Sequence, residues 1–117
     1  MSIKHTAIPI LTNGSGAATV YSPTPVDGFL AAIRVQIGTL AAGATDLTIT
    51  DDATGMALLT ITDIAANTDY YPRGAAVSPA NAAITNSFVP IPLTGKVKVV
   101  VAQGGAAATG TVHIWWT

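Results

Sequence analysis

The sequence predicts an all-β protein, a two-sheet antiparallel sandwich of about eight strands. Three observations carry that prediction. Apolar and polar residues alternate at period two in several stretches, Gly, Pro, Asn or Asp interrupts them at short intervals, and no segment has the length and periodicity of a helix. The Ala-rich pieces at 40–44 and 74–76 are too short and too punctuated to nucleate one. At 117 residues the chain amounts to one domain, 1–117, with one core. For eight short strands with regular turn signals, a jelly roll is favoured over an immunoglobulin-like arrangement.

The strands are expected at 3–10, 17–21, 29–37, 46–51, 56–63, 87–93, 96–103 and 109–116. Between the first two, Asn13-Gly14-Ser15-Gly16 is a turn; no Lys follows it and no helix begins there, so it is not a phosphate loop. In the third strand Ile33, Val35 and Ile37 share one face while Arg34 and Gln36 take the other, as a half-buried strand requires. Leu47-Thr48-Ile49-Thr50 and Leu59-Thr60-Ile61-Thr62 repeat that pattern. Between them Asp51-Asp52-Ala53-Thr54-Gly55 supplies side chains that bond nearby backbone and a Gly that accepts positive φ, which makes this the best-marked hairpin. A second hairpin is expected at Thr94-Gly95, joining 88–93 to 97–101. Pro90 and Pro92 lack N–H donors, so their strand belongs at a sheet edge. Gly104-Gly105-Ala106-Ala107-Ala108 connects to the last strand.

Only 9% of the residues are charged, half are apolar, and all six acids are Asp. An exterior built from Ala, Thr, Ser, Asn and Gly suits contact with other protein. Five cations, Lys4, Arg34, Arg73, Lys96 and Lys98, are too few and too scattered for phosphate binding, so no nucleic-acid partner is expected. The absence of Cys removes disulfides and thiolate metal sites. No signal-peptide run follows the residues 1–5, and no apolar stretch is long enough to span a bilayer, so a soluble protein with no membrane partner is expected. Asp46, Asp51 and Asp52 lack the alternate spacing of a calcium loop, and His5 and His113 each stand alone in the sequence. No Ser has a base at hand. No enzyme, no cofactor and no metal are expected.

The segment 64–86 breaks the alternation and is expected to be a long loop, of the kind that carries function. It contains Tyr70-Tyr71-Pro72-Arg73, where residue types enriched in protein interfaces adjoin. The Trp115-Trp116 pair points its two rings to opposite faces, leaving one at the surface or in a contact. Tyr70, Tyr71, Arg73, Trp115 and Trp116 are therefore the candidate protein-interface residues. For each aromatic pair the alternative is simple cover for one end of the sandwich.

The runs Asn13-Gly14-Ser15-Gly16-Ala17-Ala18-Thr19-Val20-Tyr21, Asp46-Leu47-Thr48-Ile49-Thr50, Tyr71-Pro72-Arg73, Ile91-Pro92-Leu93 and Lys98-Val99-Val100-Val101-Ala102-Gln103-Gly104-Gly105 resemble small all-β structural proteins of tailed bacteriophages. Capsid cement or decoration proteins are the nearest functional match. That resemblance implies a protein made in the host cytoplasm and carried on the capsid exterior of the virion. It would bridge subunits of the major capsid protein and self-associate through a sheet edge or sandwich end as a homo-oligomer. A phage tail or receptor-binding module recognising glycan is the alternative. A third reading takes Thr48-Ile49-Thr50 and Thr60-Ile61-Thr62 as a flat ice-binding array, against the plainer one that Thr suits a solvent-facing strand.

Overall fold

Aliphatic side chains at alternate positions give each long strand one face that must leave water, and two sheets meet by burying those faces against each other. The computed structural model describes residues 2–117, and Met1 lies outside the described residues. No helix occurs among the described residues, and eleven strands do. In chain order they are β1 (Lys4–Leu11), β2 (Ala18–Tyr21), β3 (Gly28–Gln36), β4 (Thr45–Asp51), β5 (Ala57–Ile64), β6 (Thr68–Tyr70), β7 (Gly74–Val77), β8 (Ala83–Val89), β9 (Pro92–Leu93), β10 (Val97–Ala102) and β11 (Thr109–Trp116). One sheet runs β1-β11-β3-β6, with β9 paired to the start of β3; the second runs β2-β10-β4-β5; β7 and β8 pair only with each other. Every pairing is antiparallel.

The core lies between the two larger sheets. Ile8, Ile10, Leu30, Ile33, Val35, Val112 and Ile114 come from the first, and Leu47, Ile49, Leu58, Ile61, Val97, Val99 and Val101 from the second. The expected inward set of β3 and β4 is buried, with Ile37 only half so. In β5 the pairing with β4 shifts register near both ends, and Leu58 rather than Leu59 turns inward. A register irregularity of this kind exchanges faces, because side chains alternate residue by residue.

The Asp51-to-Gly55 hairpin forms as expected, with Gly55 at φ 73° and its N–H donating to Asp51 O at 2.7 Å. The second expected hairpin does not form. β9 pairs with β3 in the first sheet and β10 with β2 and β4 in the second, so Thr94-Gly95 carries the chain across the sandwich. The Pro-bearing strand does stay short, contributing two residues beside β3.

Segment 64–86 is not a loop either. It contains β6, β7 and the first half of β8, and β7 and β8 are joined by a tight turn in which Ser78 N–H donates to Ala82 O and Asn81 adopts φ 63°. Period-two patterning reports burial of one face. The β7–β8 hairpin is largely exposed along both strands, so its sequence has no cause to alternate.

Where the chain passes between sheets, backbone groups lose their ladder partners and need substitutes. The four buried polar side chains stand at these places. Thr12, after β1, accepts from Ala108 N–H at 2.8 Å and donates to Gly105 O, joining two crossings. Ser22, after β2, donates to Thr24 O at 2.8 Å and accepts from Val97 N–H at 3.0 Å. Thr45, entering β4, donates to Ala41 O at 2.8 Å. Asp51 accepts from Ala53 N–H (3.1 Å), Thr94 N–H (3.0 Å) and the Thr94 hydroxyl (3.1 Å), tying the β4–β5 turn to the β9–β10 crossing. No buried side-chain polar atom among the described residues lacks a partner. The chain end is fixed likewise: Phe29 and Thr117 exchange two backbone bonds, and Gly28, at φ 137°, sits where a Cβ would overlap the Thr117 carbonyl.

Asp51→Ala leaves two N–H groups and a hydroxyl at a part-buried turn without their acceptor, and is expected to cost about 1 to 2 kcal/mol in urea unfolding. Asp51→Asn, which keeps an acceptor oxygen, is expected to cost less; equal losses would remove the clamp from this account.

Candidate functional site

The five candidate contact residues separate into different settings. Tyr70, in β6, pairs with Ile33 and packs against the core, and Trp116 lies inside it at 8% exposure. Trp116 is thus a packing residue of this chain, while Tyr70 is half-buried against the core. The reason is parity: in a strand, neighbours face opposite ways, so of Tyr70-Tyr71 and of Trp115-Trp116 one member each is drawn inward. Tyr71 is exposed, and Arg73 beside it donates through Nη1 to Pro72 O at 3.0 Å and reaches Ala31 O at 3.5 Å.

Trp115 points to the outer face of the first sheet, where its own chain half covers it. His5 is its cross-strand partner on β1 and His113 lies two residues before it on β11. Ring centroids stand 4.8 Å from His5 and 5.8 Å from His113. The two His residues, isolated in the sequence, meet because the first and last strands pair. His5 Nε2 lies 2.9 Å from His113 Nδ1, and His113 Nε2 lies 2.7 Å from Gln36 Oε1. The His centroids are 5.1 Å apart with planes 13° from parallel, which places the rings edge to edge around their hydrogen bond. Since Gln36 Oε1 can only accept, His113 carries its proton on Nε2, and its Nδ1 accepts from His5 Nε2–H. Beyond Gln36 on the same face, Arg34 forms an exposed ion pair with Asp69 at 2.8 Å.

The second sheet presents one cross-strand rank of Thr19, Val100, Thr48 and Thr60 on its outer face. The flanking ranks carry Lys98 beside Thr50 on one side and Asp46 on the other, so charged side chains border the Thr surface. A shallow cleft of about 350 Å³ opens beside the first sheet, lined by Gln36, Gly38, Asn67, Thr109, Gly110 and Thr111. None of these titrates near neutrality. Asn67 Oδ1 already accepts from Ile37 N–H at 2.9 Å, and Thr109 N–H donates to Thr39 Oγ1 at 2.8 Å.

The feature with most unsatisfied surface is the β7–β8 hairpin. Phe88 and Val89 are adjacent in β8 and so face opposite ways, yet both are exposed, as are Val77 and Ile84. Phe29, also exposed, pairs with Pro92 close to where β8 ends, and Tyr71 stands just before β7. The chain measures 47 × 27 × 22 Å, whereas its longest strand, nine residues, spans about 30 Å. β7–β8 is the pair that belongs to neither large sheet. No charged residue stands between Arg73 and Lys96. The candidate contact surface is thus an apolar, charge-free arm, with Tyr71 and Arg73 at its root.

No family model matches the chain, and no curated protein matches it. Among solved structures it is similar to the crystal structure of FlhE, a flagellar-associated protein, with a TM-score of 0.51 and 7% identity over 99% of this chain and 98% of that one. At that identity the likeness shows the fold alone. That neighbour points away from the expected role as a capsid cement protein bridging major capsid subunits, and the role is withdrawn.

Burial holds the His113 pKa below the usual imidazole value of 6.5, with smaller contributions in the same direction from His5 and Arg34. The unfolded chain therefore binds the proton first as pH falls through 6.5, so this group's contribution is complete above that value and is lost below it. Thermal melts between about pH 8 and pH 5 are expected to show a falling midpoint on the acid side, with a shallower fall in His113→Asn. An unchanged slope in the variant would assign the acid sensitivity elsewhere.

Proposed function

We propose that this protein is a non-catalytic docking module: the sandwich is a rigid base, and the β7–β8 arm engages another protein. One observation carries the reading. A two-stranded hairpin with apolar side chains on both faces, paired to no third strand, leaves exposed what a folded chain ordinarily buries. Its freedom from charge lowers the desolvation cost of covering it. The remaining surface offers no comparable device. The cleft beside Gln36 lacks a titratable lining group, and the His pair is spent on its own hydrogen bonds.

The test is site-specific photo-crosslinking in the cell that makes the protein, with the probe replacing Ile84 or Phe88 on the arm and Thr48 on the opposite sheet as control. Discrete protein adducts are expected from the arm positions and not from Thr48. Absence of adducts at both arm positions, with the chain folded and expressed, would remove the docking role.

A further inference from the structure

We infer that His5 and His113 form a two-nitrogen binding site for a divalent transition-metal ion, with Cu(II) preferred, on the outer face of the first sheet. The inference is independent of the arm, because β1 and β11 carry both ligands.

The geometry follows from the pairing of the first and last strands. His5 stands opposite Trp115 and Ala7 opposite His113, so the two imidazoles lie diagonally across the ladder on one face. Their facing nitrogens, His5 Nε2 and His113 Nδ1, are 2.9 Å apart. Two imidazole nitrogens bound at about 2.0 Å and at right angles around one ion stand about 2.8 Å apart, against about 3.3 Å around a tetrahedral ion. The observed spacing is that of neighbouring ligands in a square-planar or tetragonal shell, the preference of Cu(II) and Ni(II). To aim both lone pairs at one point, the rings must tilt out of their nearly shared plane. His5, exposed on an edge strand, has room to do so.

The tautomer points the same way. A metal-binding imidazole ordinarily donates its other N–H to a carbonyl or carboxylate, which fixes the ring and makes the bound nitrogen more basic. His113 has that partner in Gln36 of β3, whose Oε1 lies 2.7 Å from Nε2, and its Nδ1 is left with the lone pair. Burial favours the neutral form of His113, the form that binds metal. A single proton lies between the two rings, and His5 can carry it on Nδ1 instead, by exchange with water. The hydrogen bond therefore orients the pair without closing it to an ion.

The surroundings admit a cation. Arg34, opposite His113 on β3, has its charge met by Asp69 at 2.8 Å. No third His or carboxylate joins the pair among the described residues, so water completes the shell and the ion is exchangeable. For such a site the general order of affinity places Cu(II) above Ni(II) and Zn(II). The two ligands are 108 positions apart, so no metal motif shows in the sequence and the unfolded chain has no site.

Trp115 reports on the pair, its ring centroid lying 4.8 Å from that of His5 and 5.8 Å from that of His113. The test is titration of the purified full chain with copper(II) sulfate at about pH 7.5, following tryptophan emission and the electron paramagnetic resonance spectrum. Saturable quenching by one ion per chain is expected, with nitrogen coupling from two imidazoles, and Zn(II) measured by competition is expected to bind at least tenfold more weakly. His5→Asn and His113→Asn are each expected to weaken Cu(II) binding at least tenfold. Gln36→Ala is expected to weaken it about tenfold and Gln36→Glu to restore it, the mark of a positioning residue. All three side chains lie outside the core, and the thermal midpoint of each variant without metal checks that it is folded. Absence of saturable quenching in the wild type, or tight binding retained by either His variant, would overturn the site. Retention by His113→Asn alone would place the ion on His5 and the backbone nitrogens near it. Zn(II) binding as tightly as Cu(II) would overturn the metal preference, and an unchanged Gln36→Ala the positioning role.

Discussion

Two sheets that are aliphatic on one side only can satisfy those faces in one way, by closing on each other, and the rest of the molecule follows from that closure. It draws Trp116 and Tyr70 inward while leaving Trp115 and Tyr71 outside. It also obliges the chain to cross repeatedly from sheet to sheet, and each crossing strips backbone groups of their ladder partners. Thr12, Ser22 and Thr45 stand at those crossings, and Asp51 reaches one from the β4–β5 turn, because small polar side chains can replace the missing partners at close range. A core this aliphatic tolerates buried polar atoms only where every one is bonded. β7 and β8 join neither of these sheets and pair only with each other.

Low charge then acquires a structural meaning. With five cations and six acids in the chain, solvation of the exterior falls to hydroxyls, amides and exposed backbone. The few charges are concentrated on the sandwich, where Arg34 meets Asp69 and where Lys98 and Asp46 flank the Thr row. The arm has none. A base that stays in water and an arm that does not are therefore distinguished by composition as well as by position.

The parts of this fold that the sequence made legible are those where one face is wet and the other dry. The Asp51-to-Gly55 hairpin and the inward sets of β3 and β4 were readable because alternation and turn chemistry agree there. Strand order was not, since contacts such as His5 with His113 join residues 108 apart and nothing local announces them. The arm was illegible for a different reason: with both faces exposed, no period appears, and absence of period reads as loop. Thr94-Gly95 read as a hairpin because its flanks alternate, although those flanks belong to different sheets. The phage resemblance drew on runs that the structure places in an Asx turn at Asn13, in sheet strands and in a sheet crossing. Such runs are shared by β modules of many functions, so they carried the fold and not the role.

Separating the arm from the core has an energetic consequence. The sandwich closes on contacts that involve none of β7 or β8, so its folding does not wait on a partner. The arm, held by a few backbone bonds around a tight turn and exposed on both sides, lies at the low end of local stability. Whatever covers it must therefore also order it, at a cost of about 1 to 2 kcal/mol for each residue newly fixed. A hairpin already turned by Ser78 and Asn81 has much of that ordering done in advance, which lets a modest interface suffice. Sandwich and arm constrain each other at both ends of the hairpin, at Tyr71-Pro72-Arg73, where Arg73 reaches Ala31 O, and at Ile91, a core residue whose carbonyl accepts from Leu30 N–H at 2.9 Å.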